Sequence, residues 1–271
     1  MTSSVQNLQS GEQYHEVLLE ASGLRKHFGG LLAVQSCSLL LRRYEVTGLI
    51  GPNGAGKSTV LDLLSGVERA DAGHVLLRGQ NIDTRPTHLR ARMGMVRTFQ
   101  DPRVWPRLTV LENMLVVGDG LTGSSGLRAI FRHRKVMAQQ RAHIRRAVEL
   151  LAAVDIMHMV DRRAGELSGG QARLLAFARL AMANPDVILL DEPLAGVNPV
   201  LGERLLVLIR EMATAGAAVL VVEHNLVAIE QLCDVVYVMA QGEVIGMGSM
   251  EELRQSEQVV LAYLGPTTEA I

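Results

Sequence analysis

The sequence predicts an α/β fold: a parallel-sheet core that carries an antiparallel β subdomain and an inserted helical subdomain. Three observations predict it. Val46-Thr47-Gly48-Leu49-Ile50 reads as a short buried strand that passes through a glycine turn straight into an apolar helix, Val60–Leu64, which makes its sheet parallel. Two further apolar runs, Val187–Leu190 and Ala217–Val222, are each followed by a helical segment. Between about Thr87 and Ala183 the character changes to helices and loops.

A chain of 271 residues, 48% apolar, can bury a substantial core and fits one large domain with a subdomain or two modest ones. The net charge of −1 gives no global pointer to nucleic acid. Cys37 and Cys233 are isolated thiols without metal-site spacing, which fits a reducing compartment. No apolar run approaches the roughly 20 residues that a spanning helix needs. Residues 1–10 lack the basic start and apolar block of a signal peptide. A cytoplasmic location is therefore expected, with membrane association only through a partner.

In chain order, residues 1–16 form a polar, flexible tail. Val17 to Leu41, broken by Gly23, Gly29 and Gly30, is an antiparallel strand region, joined by a strand and turn at His74–Gly79. Gly66 closes the helix that follows the glycine turn. Gly118 to Gly126, with four glycines and two serines, is an exposed loop. Beyond it Ile144, Ala147, Val148 and Leu151 recur at helical spacing. Arg128, Arg132, Arg134, Lys135, Arg141, Arg145 and Arg146 line this stretch, as a solvated face or as neighbours of anionic lipid headgroups. A helix runs from Pro199 to about Met212 with Asn198 as its N-cap. Another runs through Leu232, then a hairpin turns at Gln241-Gly242, and Ser249 with Glu252 caps a last helix.

The turn itself is Gly51-Pro52-Asn53-Gly54-Ala55-Gly56-Lys57-Ser58-Thr59. Strand, glycine turn, Lys-Ser and helix together fit a phosphate-binding loop. Its backbone N–H groups converge on phosphate oxygens at a helix N-terminus. Lys57 would lie along the β- and γ-phosphates, and the Ser58 hydroxyl would hold Mg²⁺. Asp191 closes a buried strand at the sheet's ligand-binding edge and can hold the same ion through water. Glu192, one residue on, can polarise an attacking water as general base. Ser168-Gly169-Gly170-Gln171 opens a helix and makes a second anion site.

Leu167–Gln171, with Ser168 placed 23 residues ahead of Asp191, resembles the signature motif of ABC-type ATPases. The resemblance runs from Val17 to Gly265. It implies a P-loop NTPase (RecA-like) core that binds and hydrolyses ATP with Mg²⁺. Two such subunits would pair head to tail, the signature of one facing the nucleotide of the other. It further implies one ATPase domain over 17–265. Residues 17–94 and 186–265 would form the catalytic core with its β subdomain, and 95–185 the helical subdomain. Arg97-Thr98-Phe99-Gln100 is similar to the family's Q-loop, where Gln100 senses Mg²⁺ and the γ-phosphate. Val222-Glu223-His224-Asn225 resembles the switch loop, whose imidazole donates to the γ-phosphate. Phe28, 23 residues ahead of Gly51, stands where the family stacks an aromatic on adenine, or else packs in the core. Ala195–Pro199 occupies the D-loop, with Asn198 where many relatives have aspartate.

Phe28-Gly29-Gly30, Arg97–Gln100, the insert from Gly118 to Arg141, Gly196–Pro199 and Ala262–Gly265 resemble the ATPase subunits of branched-chain amino acid importers and the similar amide and urea importers. Gly169 departs from that subgroup, which often has a bulkier residue there. The resemblance implies membrane permease subunits, a second ATPase subunit (identical or a sister) and, indirectly, an external solute-binding protein. The location implied is peripheral, at the inner face of the membrane. A soluble ABC-type ATPase, for example in iron–sulfur cluster assembly, is the alternative. A nucleotide-binding module without turnover conflicts with the intact Glu192 and His224. Trp105, the only tryptophan, is expected either on the groove that receives the permease or in the helical subdomain's own core.

Overall fold

The computed structural model describes residues 15–98, 104–117 and 133–264. Within them lie strands β1 (Val17–Phe28), β2 (Leu31–Arg42), β3 (Val46–Ile50), β4 (Ala72–Leu77) and β5 (Gln80–Asn81). Then come β6 (Met95–Arg97), β7 (Val187–Asp191), β8 (Ala218–Val222), β9 (Val235–Ala240) and β10 (Glu243–Gly248). The helices are α1 (Lys57–Ser65), α2 (Thr87–Arg92), α3 (Val110–Leu115), α4 (His133–Ala153) and α5 (Gly169–Ala183). They continue with α6 (Pro199–Thr214), α7 (Leu226–Leu232), α8 (Met250–Gln255) and α9 (Glu257–Leu264).

All ten strands join one curled sheet in the order β5-β4-β1-β2-β10-β9-β3-β8-β7-β6. β3 lies between β8 and β9 and runs parallel to both, as a strand that leads directly into a helix must. β1, β2, β4 and β5 pair antiparallel. The two parts, expected as separate sheets, are joined by one parallel bridge, Glu243 to Ser36. Gly23 does not break β1. It adopts φ +58° at a register shift, so the strand bulges and continues. Residues 95–97, assigned by sequence to the helical subdomain, form the edge strand of the parallel sheet, Met95 opposite Val187. That strand is three residues long, too short to announce itself by periodicity.

Side-chain alternation sends one set of core residues to each face of the parallel sheet. Ile188, Leu190, Val219 and Val221 meet helices α4, α5 and α6. Val187, Leu189, Leu220 and Val222 meet α1 and the antiparallel strands. With both faces covered, every residue of β3 and β8 is buried, hence the uninterrupted apolar run of β8 and the single polar residue, Thr47, in β3.

The helix ends carry their caps. Asn198 accepts from Leu201 N–H with Pro199 at the first helical position, a cap worth about 1 kcal/mol. Ser249 and Glu252 form a capping box, and Gly66 closes α1 at φ +75°. The expected single C-terminal helix is two, α8 and α9, separated at Ser256. Arg141, Arg145 and Arg146 are exposed on α4. The loop 118–126, Arg128, Arg132, Gly265 and residues 1–14 of the tail lie outside the described residues.

Candidate nucleotide-binding site

The loop from Gly51 to Gly56 is held on two sides. Gly56 sits at φ +98°, and a Cβ there would stand 2.5 Å from the Ala33 carbonyl oxygen, so only glycine fits without a shift. The Ala55 carbonyl accepts from Gly242 N–H at 3.1 Å, tying the loop to the β9–β10 turn. Pro52 is half-buried, and Asn53 and Gly54 are exposed at the tip. α1 starts at Lys57 with no side-chain cap, because Gly56 has none to offer. Its first-turn N–H groups therefore face the loop's mouth, the arrangement that suits a bound anion.

Lys57 folds across that mouth and donates to the carbonyls of Gly51 at 2.8 Å and Pro52 at 3.0 Å. Burial pushes its pKa below the usual lysine value, while the carboxylates of Glu192 and Asp191 act in the opposite sense. All three groups thus share one electrostatic environment. Ser58 is exposed and Thr59 half-buried beside it. Ser58 and Asp191 present oxygen donors only, which suits a hard cation that takes its other ligands from phosphate and water.

Asp191 ends β7, with Val222 of β8 opposite it. Its Oδ2 accepts from Arg97 Nη2 at 3.0 Å. The same guanidinium donates through Nη1 to Asp62 Oδ1 at 2.5 Å and to Ser65 Oγ at 3.2 Å, both on α1. Arg97, 8% exposed, thus bridges the acid of β7 to the helix of the phosphate loop. Glu192 has φ +45°, rare for a residue with a Cβ, and its N–H donates to the Val222 carbonyl at 2.9 Å. Such a conformation costs about 1–3 kcal/mol and persists where the surroundings over-determine it.

His224 follows β8 with its side chain exposed, and the buried Glu223 precedes it. Asn225 caps α7 by accepting from Val227 and Ala228 N–H groups. Phe28 ends β1 44% exposed, with Lys26 Nζ 5.1 Å from its ring centroid. Of the two expectations for Phe28, core packing is ruled out. Gln100 and Phe99 lie outside the described residues.

Ser168 caps α5 in a box with Gln171: Ser168 N–H donates to Gln171 Oε1 at 2.9 Å, and Gln171 N–H to Ser168 Oγ at 3.3 Å. Gly169 and Gly170 form its first turn. α5 packs on the face of the sheet opposite α1. Among the described residues no hydrogen bond joins Ser168–Gln171 to the phosphate loop. Trp105 is 41% exposed, its ring faced by the Arg179 guanidinium carbon at 4.0 Å. Its backbone is held by the buried Asn113, which accepts from its N–H at 2.8 Å and donates to its carbonyl at 3.0 Å.

Sequence reading singled out neither the bridging role of Arg97 nor Glu223. A signal existed for the second: an acid directly after six apolar residues has to be buried or turned outward.

A strand–loop–helix with an open helix start, beside an acid at the end of a neighbouring parallel strand, defines a P-loop nucleotide-binding protein. Residues 34–195 match the ABC transporter family. The chain is 37% identical over 248 residues to a probable branched-chain amino acid transport ATP-binding protein LivG of Archaeoglobus fulgidus, covering 92% of this chain and 95% of that one. It is 36% identical to the high-affinity branched-chain amino acid transport ATP-binding protein BraF of Pseudomonas aeruginosa, over 92% and 98% of the two chains. A crystal structure of a nucleotide-free ATP-binding cassette from an ABC transporter superposes with a TM-score of 0.75 at 34% identity, covering 92% of this chain and all of that one. The ADP conformation of an ATP-binding cassette matches with the same TM-score at 35% identity, over 92% and 99%. The chain belongs to the ABC transporter family, as one of its ATP-hydrolysing, ATP-binding subunits.

Proposed function

We propose that this chain powers the uptake of branched-chain amino acids, or a related small polar solute, through separate membrane permease subunits. The observation that carries this reading is the identity of 35–37% over 92% of the chain to branched-chain amino acid transport ATP-binding proteins of bacteria and archaea. Those relatives favour it over a soluble ATPase of iron–sulfur cluster assembly. No helix of the described residues is long and apolar enough to cross a membrane, so attachment at the inner face would come through the permease.

In this reading Gly51–Thr59 cradles the phosphates of ATP, with Lys57 on the β- and γ-phosphates and Phe28 against adenine. Ser58, Asp191 and Gln100 would hold Mg²⁺, whose charge, when it is bound, would offset that of the phosphate oxygens. Glu192 takes the proton of the attacking water, and His224 donates to the γ-phosphate. Ser168–Gln171 serves the nucleotide of a second ATPase subunit paired head to tail. Its place on α5, across the sheet from α1, supports service to a partner rather than to its own loop. Trp105, half-exposed with its backbone fixed by Asn113, belongs to the permease-docking surface. A solute-binding protein would meet the assembly from outside, through the permease.

The test is purification of the chain with its membrane partners, followed by uptake in vesicles. ATP-dependent accumulation of labelled leucine, or of an amide or urea in competition with it, is expected. An ATPase that purifies with no multi-spanning partner and energises no uptake would refute the reading.

A further inference from the structure

Glu223 is a carboxylate 2% exposed, placed between the last residue of β8 and His224. Its Oε1 accepts from Leu194 N–H at 2.9 Å, and its Oε2 from His224 N–H at 3.1 Å. Leu194 is the second residue after Glu192, so one side chain grips both the turn that follows the candidate base and the loop that bears the candidate imidazole. Backbone pairing stops just short of this point, with Asp191 opposite Val222 and Glu192 N–H on the Val222 carbonyl. Glu223 continues the connection where the ladder cannot.

The turn is also held from its other side. Arg173 on α5 donates to the Pro193 carbonyl at 3.4 Å and to the Ala195 carbonyl. Burying a carboxylate is costly unless its oxygens are met. Among the described residues no lysine or arginine pairs with Glu223; its hydrogen bonds go to backbone N–H groups, and the His224 Nδ1 stands 3.8 Å from its Oε2. A neutral apolar residue would fill the space at lower cost but would leave the Leu194 and His224 N–H groups without an acceptor. The arrangement needs two acceptor oxygens facing two loops, and only a carboxylate of this length supplies them.

We propose that Glu223 is a positioning residue for hydrolysis, which fixes the Glu192 turn to the His224 loop so that base and imidazole meet the γ-phosphate as one unit. This rests on the roles given above to Glu192 and His224.

Two variants test it. Glu223→Gln keeps the volume but offers a single acceptor oxygen, and its NH₂ group faces an N–H. Glu223→Asp keeps the charge but is one methylene too short to reach both loops. Hydrogen–deuterium exchange should quicken in residues 191–197 and 223–228 together in both variants, with residues 51–59 unchanged. ATP affinity should stay within about threefold, while single-turnover hydrolysis falls about 10–100-fold, the effect of small misplacement of reacting groups. In a His224→Ala background the further loss from Glu223→Gln should shrink to under about threefold, as for residues that act as a unit.

Unchanged exchange in either segment would overturn the proposal, as would faster exchange with wild-type hydrolysis or a wild-type Glu223→Asp. Where His224→Ala is itself slow, losses that multiply fully in that background would reduce Glu223 to a general stabiliser and overturn it too. If His224→Ala alone hydrolyses at the wild-type rate while both Glu223 variants are slow and loosened, the role of His224 fails instead, and the staple on the Glu192 turn stands.

Discussion

Replacing Arg97 with methionine keeps most of the side-chain volume and removes the fork that joins β7 to α1. Three charge-assisted or polar contacts go: Asp191 Oδ2 at 3.0 Å, Asp62 Oδ1 at 2.5 Å and Ser65 Oγ at 3.2 Å. Asp191 is 12% exposed and Arg97 8%, so solvent replaces little of what is lost. Asp62, 31% exposed, can rehydrate and contributes less. Stranding one partner of a buried pair costs about 3–5 kcal/mol. For a chain of this size each kcal/mol moves the melting temperature by about 2–4 °C, giving an expected drop of about 6–20 °C. Urea unfolding and thermal melts of the nucleotide-free protein measure it. Adding Asp191→Asn to Arg97→Met removes the stranded charge and should recover at least about 1 kcal/mol, since neighbours in one network are not additive. A loss below about 1 kcal/mol for Arg97→Met, the value of an exposed pair, would refute the claim that this bridge is a buried one.

Lys57→Ala should abolish ATP binding or turnover, while the melting temperature moves by no more than about 3 °C, because a charge in the loop's mouth and its bonds to the Gly51 and Pro52 carbonyls are removed but no core residue is; nucleotide titration and a thermal melt decide it. Glu192→Gln should slow hydrolysis by roughly 10²–10⁴-fold and leave binding intact. With Mg-ATP it should trap a dimer visible by size-exclusion chromatography, with the sister subunit added if the pair is mixed. A wild-type rate would remove Glu192 as base. Trp105→Ala should uncouple transport in reconstituted vesicles with basal hydrolysis nearly intact, since Asn113 holds the backbone there without help from the indole; joint loss of folding and hydrolysis would place the indole among the groups that build the helical region.

Legibility in the sequence followed the range of the interactions. β3, β7 and β8 were readable because both faces of each are covered and their positions are apolar, the buried Thr47 of β3 and the strand-ending Asp191 of β7 excepted. Ser168, Asn198 and Ser249 were readable as caps because cap and helix are adjacent in sequence. β6 escaped as a strand because three residues pair only with β7, about ninety positions later in the chain. The join between the two sheet parts escaped for a like reason, pairing Glu243 with Ser36 from distant parts of the chain. For the site, Lys57, Asp191 and Glu192 were placed by local motif and share one environment in the fold. What holds them there was not local.

The helix of the phosphate loop shows why those supports are built from buried charge. α1 offers an uncapped, positive N-terminus to phosphate, and its C-terminal carbonyls then need partners of the opposite sign. Arg90, 2% exposed, supplies them: its guanidinium donates to the carbonyls of Leu63 at 2.9 Å and Leu64 at 2.6 Å, and to that of Arg85 at 2.8 Å. Burial lowers its pKa, but an arginine starts so far above neutral pH that the charge survives. Arg97 grips the flank of the same helix at Asp62 and Ser65. Both arginines come from segments about thirty residues downstream, so neither could be assigned to α1 from spacing. A lysine at either place would bring a single ammonium where a planar fork reaches several acceptors at once. Between them they fix α1 along its length and at its far end, so the open end can meet phosphate without the helix itself having to move.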